Sequence, residues 1–515
     1  MKHARLVRWV IFGCVGLLIA MAVVAGLGSR TAPLRQLVIE TLADRLDSEV
    51  ELGAFSVDTF PRVHITGAGL VIRHKNRRDV PPLVSIESFT VDAGLFGLWH
   101  RPRRFRTVTV TGLRVSIPPG GFKKDHDDTP DDDQGGPGAI VVDELIADNA
   151  ALVLVPRRAG KEPKIFDIHH LTLTPLGKGE VMRYEAAITN PLPKGLVQAS
   201  GTFGPWHRGD PGGTPLTGRY SFDNVDLSTV KGIGGNLTST GSFNGQLDRI
   251  AVSGETRTPD FFVKVAGNPV PLETKFEAVV DGTDGDTYLN AVSGHFLSTS
   301  LDARGAVVGA EGVKGRTVKV HVKIADGRIE DILRLAVRGE KPVMRGQLAL
   351  HADMNLPAGP ADVMDRLGVN GELDVAAARF TDKGVQKKVS DMSERARGMD
   401  PDASHQNVAS DLRAKFTLDR GVIRLRDASF AMPGATVRMA GSYGLFSEAL
   451  EFDGTARMTA TISQAAGGGI KGALLKVVDP IFRKDGAGAV LPLKIRGTRK
   501  EPKVGLNVGK VFGRD

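Results

Sequence analysis

The sequence predicts a mainly β protein that follows one N-terminal transmembrane helix. Residues 9–29 contain no charged side chain, and a helix over that range rises about 31 Å, close to the hydrocarbon thickness of a bilayer. Beyond residue 49, apolar and polar side chains alternate with a period of two, which is typical of strands. Glycine (62 residues) and proline (28 residues) are abundant and spread along the chain, as expected for many short strands and turns.

The charges that flank the span predict its orientation. Three basic residues precede it, namely Lys2, Arg5 and Arg8. Cytoplasmic ends of membrane helices carry such positive charge, so residues 1–8 are expected in the cytoplasm and the bulk of the chain in the periplasm of a bacterial cell. A cleavable signal peptide ending near 20–22 and a lipoprotein signal centred on Cys14 are the alternatives. The length of 9–29 favours the uncleaved anchor.

Composition excludes several classes of protein. The single cysteine lies in the span, which leaves no disulfide framework and no cysteine-based zinc site. The net charge of +8 is mild for 515 residues, and aromatic residues make up only 6%, so a nucleic-acid partner is not expected. No Walker loop, G-x-S-x-G or H-E-x-x-H motif is present, and the adjacent His169 and His170 would face opposite sides of a strand. We therefore expect no enzyme activity, no catalytic residues, no metal and no cofactor.

A short amphipathic helix is expected directly after the span. Pro33 suits a first helical turn, and the range 33–47 carries apolar residues at helical spacing. These are Leu34, Leu37, Val38, Leu42 and Leu46.

About 25 strands follow, and each has one apolar face and one solvent-exposed polar face. In one of them the apolar residues alternate with Lys319, His321 and Lys323, and in another with Lys494 and Arg496. The apolar members of these two strands are Val318, Val320, Val322, Ile324, Leu493 and Ile495. Near Gly112 the apolar phase slips from Val108 and Val110 to Leu113 and Val115, which indicates a bulge.

Four segments interrupt the strand pattern. The acidic, Pro/Gly-rich range 123–138 is predicted to be a solvated linker, with a cation-binding loop as the less favoured alternative. A short helix is expected over 328–337. The range 387–410 is polar and lacks a strand pattern, so we predict a mobile polar insert. An apolar helix is expected over 470–478.

One cluster suits a membrane interface, because apolar and aromatic residues lie beside basic ones. Its members are Phe96, Trp99, Arg101, Arg103, Arg104 and Arg106. The alternative, a strand connection with a solvated basic face, is at least as common for such charge runs.

Several segments resemble AsmA-family envelope proteins. The opening is similar in its single span, its short amphipathic helix and the sequence FPRVHITG at 60–67. The C-terminal third carries more specific similarity, in FAMPGA at 430–435, MAGSY at 439–443, VDPIF at 478–482 and GTRKEP at 497–502. The resemblance covers about 1–120 and 320–515, whereas the middle matches only in strand pattern.

The resemblance implies a single-pass inner-membrane protein with a long, curled, antiparallel-type β-sheet groove and a few short helices. Its parts would be an N-terminal β region (30–122), the acidic linker, a middle β groove (139–386), the polar insert and a C-terminal domain (411–515). About 25 strands in one sheet would extend about 120 Å.

The implied function is binding of phospholipid acyl chains in transport between membranes and in outer-membrane homeostasis. The six apolar residues of the two strands above would then face lipid, although ordinary core packing explains them equally well. The alternative function is a non-enzymatic structural or assembly factor with a packed β core. Its partners would be outer-membrane or other envelope proteins, bound through 123–138 and 387–410.

Overall fold

The protein is mainly β, with few and short helices. The computed structural model describes residues 35–506, except for 37, 41, 44–47, 59–61, 75–80, 95–102, 118–139, 155–162, 178, 208–209, 310–312, 314, 340, 400–407, 466–487 and 500. The predicted span 9–29, the linker 123–138 and the predicted helix 470–478 lie outside the described residues. Among the residues that are described, no helix has the length and apolar character needed to cross a membrane.

The chain divides into two compact units. The first comprises Met1–Val230, Asn236–Thr256 and Glu277–Asp286, and the second comprises Lys231–Gly235, Arg257–Phe276 and Thr287–Asp515. The strands that begin in the first unit are β1 (Ser48–Glu51), β2 (Phe55–Asp58), β3 (Val63–His74), β4 (Val84–Ala93), β5 (Arg103–Thr111), β6 (Arg114–Ile117), β7 (Ile140–Leu154), β8 (Lys164–Thr174), β9 (Leu176–Gly177), β10 (Met182–Pro191), β11 (Lys194–Phe203), β12 (Pro215–Asp226), β14 (Asn236–Gln246) and β15 (Arg249–Val263).

The remaining strands begin in the second unit. They are β13 (Ile233–Gly234), β16 (Val270–Val280), β17 (Thr287–Phe296), β18 (Thr299–Gly309), β19 (Arg316–Arg328), β20 (Met344–Leu356), β21 (Gly368–Phe380), β22 (Ser410–Asp419), β23 (Val422–Met432), β24 (Ala435–Gly444), β25 (Ala449–Met458), β26 (Ala489–Thr498) and β27 (Pro502–Leu506). The helices are α1 (Ile329–Ala336), α2 (Val363–Arg366), α3 (Lys383–Ala396) and α4 (Ile462–Ala465), with short 3-10 turns at Pro211–Gly213 and Leu227–Thr229.

Strand pairing in the first unit is mixed, which corrects the expectation of a purely antiparallel sheet. β5 and β6 both run parallel to β7, whereas β3–β4, β7–β8, β8–β10, β10–β11, β11–β12 and β12–β14 are antiparallel. Gly112 has φ +66° and separates β5 from β6. The predicted phase slip is therefore a break between two strands, and it keeps Val110 and Leu113 both buried.

In the second unit the strands follow one another in order. Each strand from β17 to β27 pairs antiparallel with the next along the chain. Such pairing needs only short connections, which agrees with the turn residues that punctuate the sequence.

The core of the first unit lies under the helical residues after the predicted span. Residues 35–36, 38–40 and 42–43 are helical, and Val38 and Leu42 are buried against Ile65, Phe105 and other strand residues. The predicted amphipathic helix is thus confirmed in its described part. Leu34, Leu37 and Leu46 lie outside it.

Two helices cover one edge of the sheet in the second unit. α1 is the short helix predicted over 328–337, and its Ile329 packs in a cluster with Ile324 and Leu348. α3 corrects the prediction of a mobile insert for residues 387–396, whereas residues 400–407 of that range lie outside the described residues. Its polar sequence is helical because Asp382 caps the first turn through Val385 N (2.8 Å), and because Val389, Met392 and Ala396 line one side of it, against a buried cluster of strand residues.

Candidate functional site: an apolar sheet face

The second unit carries one apolar face that continues across many strands. Strand register places a single row of side chains in line from β19 to β26. The row consists of Val322, Ala352, Gly371, Phe416, Leu425, Gly441, Phe452 and Ile495. No member of this row has a polar side chain, so the face offers a ligand van der Waals contact and no side-chain hydrogen bond.

The opposite face of the same strands is polar, and ion pairs join side chains of neighbouring strands there. Arg413 donates to Asp374 (2.8 Å) and Arg496 donates to Asp453 (2.7 Å). His321 contacts Asp353 on the neighbouring strand. These groups are exposed or partly exposed, so each pair contributes little stability. Their arrangement nonetheless fixes which side of the sheet faces water.

The structure places all six sequence-predicted residues on the apolar face, in two groups. Val318, Val320 and Val322 are half-buried on β19, whereas Ile324 is only 1% exposed because it lies beneath α1. Leu493 and Ile495 are half-buried on β26. β19 and β26 are seven strand spacings apart, or about 34 Å along the sheet, so the two groups share a face without touching.

Aromatic rings lie flat over glycines of this face. A Cβ placed on Gly441 would meet Phe452 Cδ1 at 2.6 Å, and one placed on Gly371 would meet the ring of Phe416. Covering a cross-strand glycine in this way protects the backbone and keeps the ring down on the sheet. Sequence reasoning missed Phe416 and Phe452, although the alternation of Leu412, Ala414, Phe416 and Leu418 was a readable signal.

Burial along the strands divides the face into a covered and an open part. Next to α1 and α3, Leu348, Val375, Ala428 and Ala456 are at most 2% exposed. Toward the hairpin turns at the other edge, the apolar residues are half-buried; they include Val320, Met354, Val369, Leu418, Ile423, Tyr443 and Leu450. The half-buried part is the candidate binding surface.

The first unit has a comparable face on β8, β10, β11, β12 and β14. Its aligned row is Leu171, Ala186, Ala199, Tyr220 and Gly241. The ring of Tyr220 lies over Gly241 (2.8 Å to an added Cβ). Loss of hydration by burial raises the pKa of Tyr184 to about 12 and also raises that of Tyr220. Both hydroxyl groups have hydrogen-bond partners, since Tyr184 donates to Thr217 O (3.3 Å) and the Tyr220 hydroxyl contacts Ser239 Oγ (3.2 Å).

The predicted membrane-interface cluster is only partly described. Phe96, Trp99 and Arg101 lie outside the described residues. Arg103, Arg104 and Arg106 belong to β5, and Arg104 Nε donates to Asp143 on β7 (2.5 Å). Arg104 and Arg106 are exposed on this strand, and contact of the cluster with lipid stays a prediction.

Within the described ranges, no group of three or more His, Cys, Asp or Glu side chains is arranged to hold a metal ion. The adjacent histidines have separate partners, since His169 Nε2 contacts Thr189 (2.7 Å) and His170 Nδ1 contacts Asp148 (2.6 Å). We compared the chain with models of known protein families, with curated proteins and with solved structures, and found no match.

Proposed function

We propose that the protein binds lipid along its apolar sheet face and acts in phospholipid transport between the membranes of the bacterial envelope. The apolar row from β19 to β26, which is half-buried except for the buried Phe452, carries this proposal. Apolar surface that extends over many residues marks a contact site on most proteins. Covering it with acyl chains removes apolar area from water, at roughly 25 cal/mol per Å².

The chemistry of the face favours an acyl chain over a polypeptide. A peptide brings backbone N–H and C=O groups that need partners when they leave water. Between β19 and β26 the backbone groups of the sheet are paired with one another, and the central row has no polar side chain. An acyl chain has no such requirement and fits a surface of this kind.

The similarity of residues 60–67 and 430–435 to AsmA-family proteins supports the same function. In this proposal, residues 9–29 anchor the chain in the inner membrane, with the N-terminus in the cytoplasm and the bulk in the periplasm. The sheet curls into a groove, outer-membrane homeostasis depends on its lipid traffic, and no catalytic step is involved.

A second candidate is a structural or assembly factor for outer-membrane proteins. The buried clusters beneath α1 and α3 favour it, because those parts of the face are ordinary packed core. Its contact sites would be 123–138 and 387–410. Deletion of 123–138 should then abolish capture of an envelope partner while leaving bound lipid unchanged; 387–410 is not deleted, because the α3 residues in it pack on the buried cluster.

The test of lipid binding is native mass spectrometry of the purified full-length protein. We expect bound phospholipid, and uptake of added phospholipid after delipidation. Protein that stays lipid-free after incubation with vesicles would contradict the proposal. A surface variant on the polar face, Lys319→Gln, should bind the same amount of lipid as the parent.

A further inference from the structure

The open part of the apolar face ends at a row of hairpin turns that carries arginines. The turns between β22 and β23 and between β24 and β25 lie side by side, with Leu445 N donating to Gly421 O (2.9 Å). The third turn, between β26 and β27, joins them through Arg499 N, which donates to Glu448 O (2.9 Å). These three turns form one edge of the second unit, which we name the turn edge.

Two guanidinium groups are presented at the turn edge. Arg420 is 75% exposed and lies 3.5 Å from the carboxylate of Asp419. Arg499 is about one-third exposed (34%), and its Nη2 donates to Glu448 Oε1 (2.9 Å). Arg499 Nε is buried and finds no hydrogen-bond acceptor among the described residues. A guanidinium has five N–H donors; because Nε is buried and Glu448 engages Nη2, the donors left for another acceptor are the remaining ones on the two Nη atoms.

The same edge borders directly on the apolar face. Ile423, Tyr443, Leu450 and Gly497 are aligned in the last row before the turns. Burial raises the pKa of the Tyr443 hydroxyl, while the charge of Arg499 lowers it and that of Glu448 raises it. Tyr443 thus lies where the apolar face meets the charged residues of the turn edge. Phe446 is 64% exposed and its ring lies over Gly421, beside Arg420.

Distances along the strand match one lipid tail. Along β24 the residues of the apolar face from Met439 to Tyr443 are half-buried, and this stretch measures about 14 Å. One leaflet of a bilayer is about 15 Å thick in its hydrocarbon part, half of the ~30 Å core. A tail laid along β24 from the covered side would therefore end at the turn edge.

We propose that Arg499 binds the phosphodiester headgroup of a lipid whose acyl chains lie on the adjoining apolar face, with Arg420 adding positive charge at the same edge. This assignment rests on the proposed lipid-binding function and names its substrate class as phosphate-bearing lipid. Arginine suits the task because its planar donors match two phosphate oxygens at once. Glu448 holds Arg499 in place and competes with the phosphate for it.

The experiment compares two lipids with the same acyl chains, phosphatidylglycerol and diacylglycerol, offered together in vesicles to the full-length protein. The measured quantity is the ratio of the two lipids bound, read by mass spectrometry. Arg499→Gln should lower the preference for phosphatidylglycerol by about tenfold, the magnitude expected for charge-assisted hydrogen bonds. Glu448→Gln should raise it, because it removes the competing carboxylate. Arg438→Gln, on the polar face of β24, is the matched control and should change nothing.

Opposite effects of Arg499→Gln and Glu448→Gln separate headgroup binding from a structural role, because both variants break the same ion pair. Equal ratios in all variants, with lipid still bound, would overturn the headgroup site while leaving the proposed function intact. Absence of both lipids from the parent protein would contradict the lipid-binding function itself. Binding of glycerol phosphate as tight as that of phosphatidylglycerol would identify a free-anion site and overturn the lipid assignment.

Discussion

Phe416 and Phe452 show how single residues shape the apolar face. Each ring covers a glycine of the neighbouring strand, and the pairs Phe416–Gly371 and Phe452–Gly441 lie in the same aligned row. A larger residue in place of either glycine would raise the ring from the sheet. The glycines therefore let both rings lie close to the sheet, which the proposed lipid binding would require.

Gly371→Ala tests this arrangement. The added Cβ would meet the ring of Phe416 and lie 3.0 Å from His351 O, so we expect a loss of about 1–2 kcal/mol in the free energy of unfolding and weaker lipid binding. Thermal unfolding and bound lipid are measured on the same samples. Gly505→Ala is the control, because a Cβ there meets nothing within 4 Å. Unchanged lipid binding by a folded Gly371→Ala protein would show that Phe416 does not contact the ligand.

Tyr184 makes a second prediction at the residue scale. Its pKa is raised to about 12 by burial, and its hydroxyl donates to Thr217 O (3.3 Å). The folded state therefore holds this proton above pH 10, where the unfolded chain releases it, and stability falls between about pH 10 and 12. We expect Tyr184→Phe to weaken this alkaline loss, which unfolding at a series of pH values would measure. An identical pH dependence in parent and variant would contradict the buried environment of the hydroxyl.

At the scale of elements, β19 is open at one end and covered at the other. Val320 is half-buried and faces Gly305 and Met354, whereas Ile324 is 1% exposed beneath α1. α1 is held there by Asp331, which accepts from Thr299 Oγ1 (2.8 Å) and Ser298 N (3.0 Å). Val320 and Ile324 thus place an open and a packed part of the same face on one strand.

Aspartate at the two positions should have different consequences. Ile324→Asp buries a carboxylate without a partner, which costs several kcal/mol and should unfold the unit. Val320→Asp can reach water when lipid is absent, so the protein should fold and lose bound lipid. Thermal stability and lipid content are measured together, with Lys319→Asp on the polar face as the control. A Val320→Asp protein that unfolds like Ile324→Asp would favour the packed-core function, and one that stays fully lipid-loaded would remove β19 from the binding surface.

At the scale of the whole molecule, the predicted anchor would determine the compartment in which the apolar faces lie. If the predicted helix over 9–29 forms, it is long enough to cross the hydrocarbon core, so the chain should remain in the membrane fraction after an alkaline wash. Removal of residues 1–32 should release it. Release of the full chain by the wash would contradict the anchor, and would also remove the orientation inferred from the basic residues before it.

The sequence predicts the secondary structure of much of this chain. Period-two alternation predicts strands such as β19 and β26, and the helical spacing around Val38 and Leu42 predicts their burial. The helix α3 was missed because its strand-facing residues are few and interrupted by Lys387, Lys388 and Asp391, so its stability depends on the cluster that Ala396 and Met392 join. The parallel pairing of β5 and β6 with β7 was also missed, since alternation is the same for either strand direction.

The sequence by itself determined which side chains share a face, because a strand reverses its side chains at every residue. It also indicated that 9–29 is long and apolar enough for a membrane span. Only the tertiary structure decided how far each part of that face is covered. Coverage depends on where α1 and α3 pack and on which strands stand in register, and those contacts join residues far apart along the chain. For the same reason, the glycines beneath Phe416 and Phe452 and the cluster of Arg499, Glu448 and Tyr443 became visible only in the folded sheet.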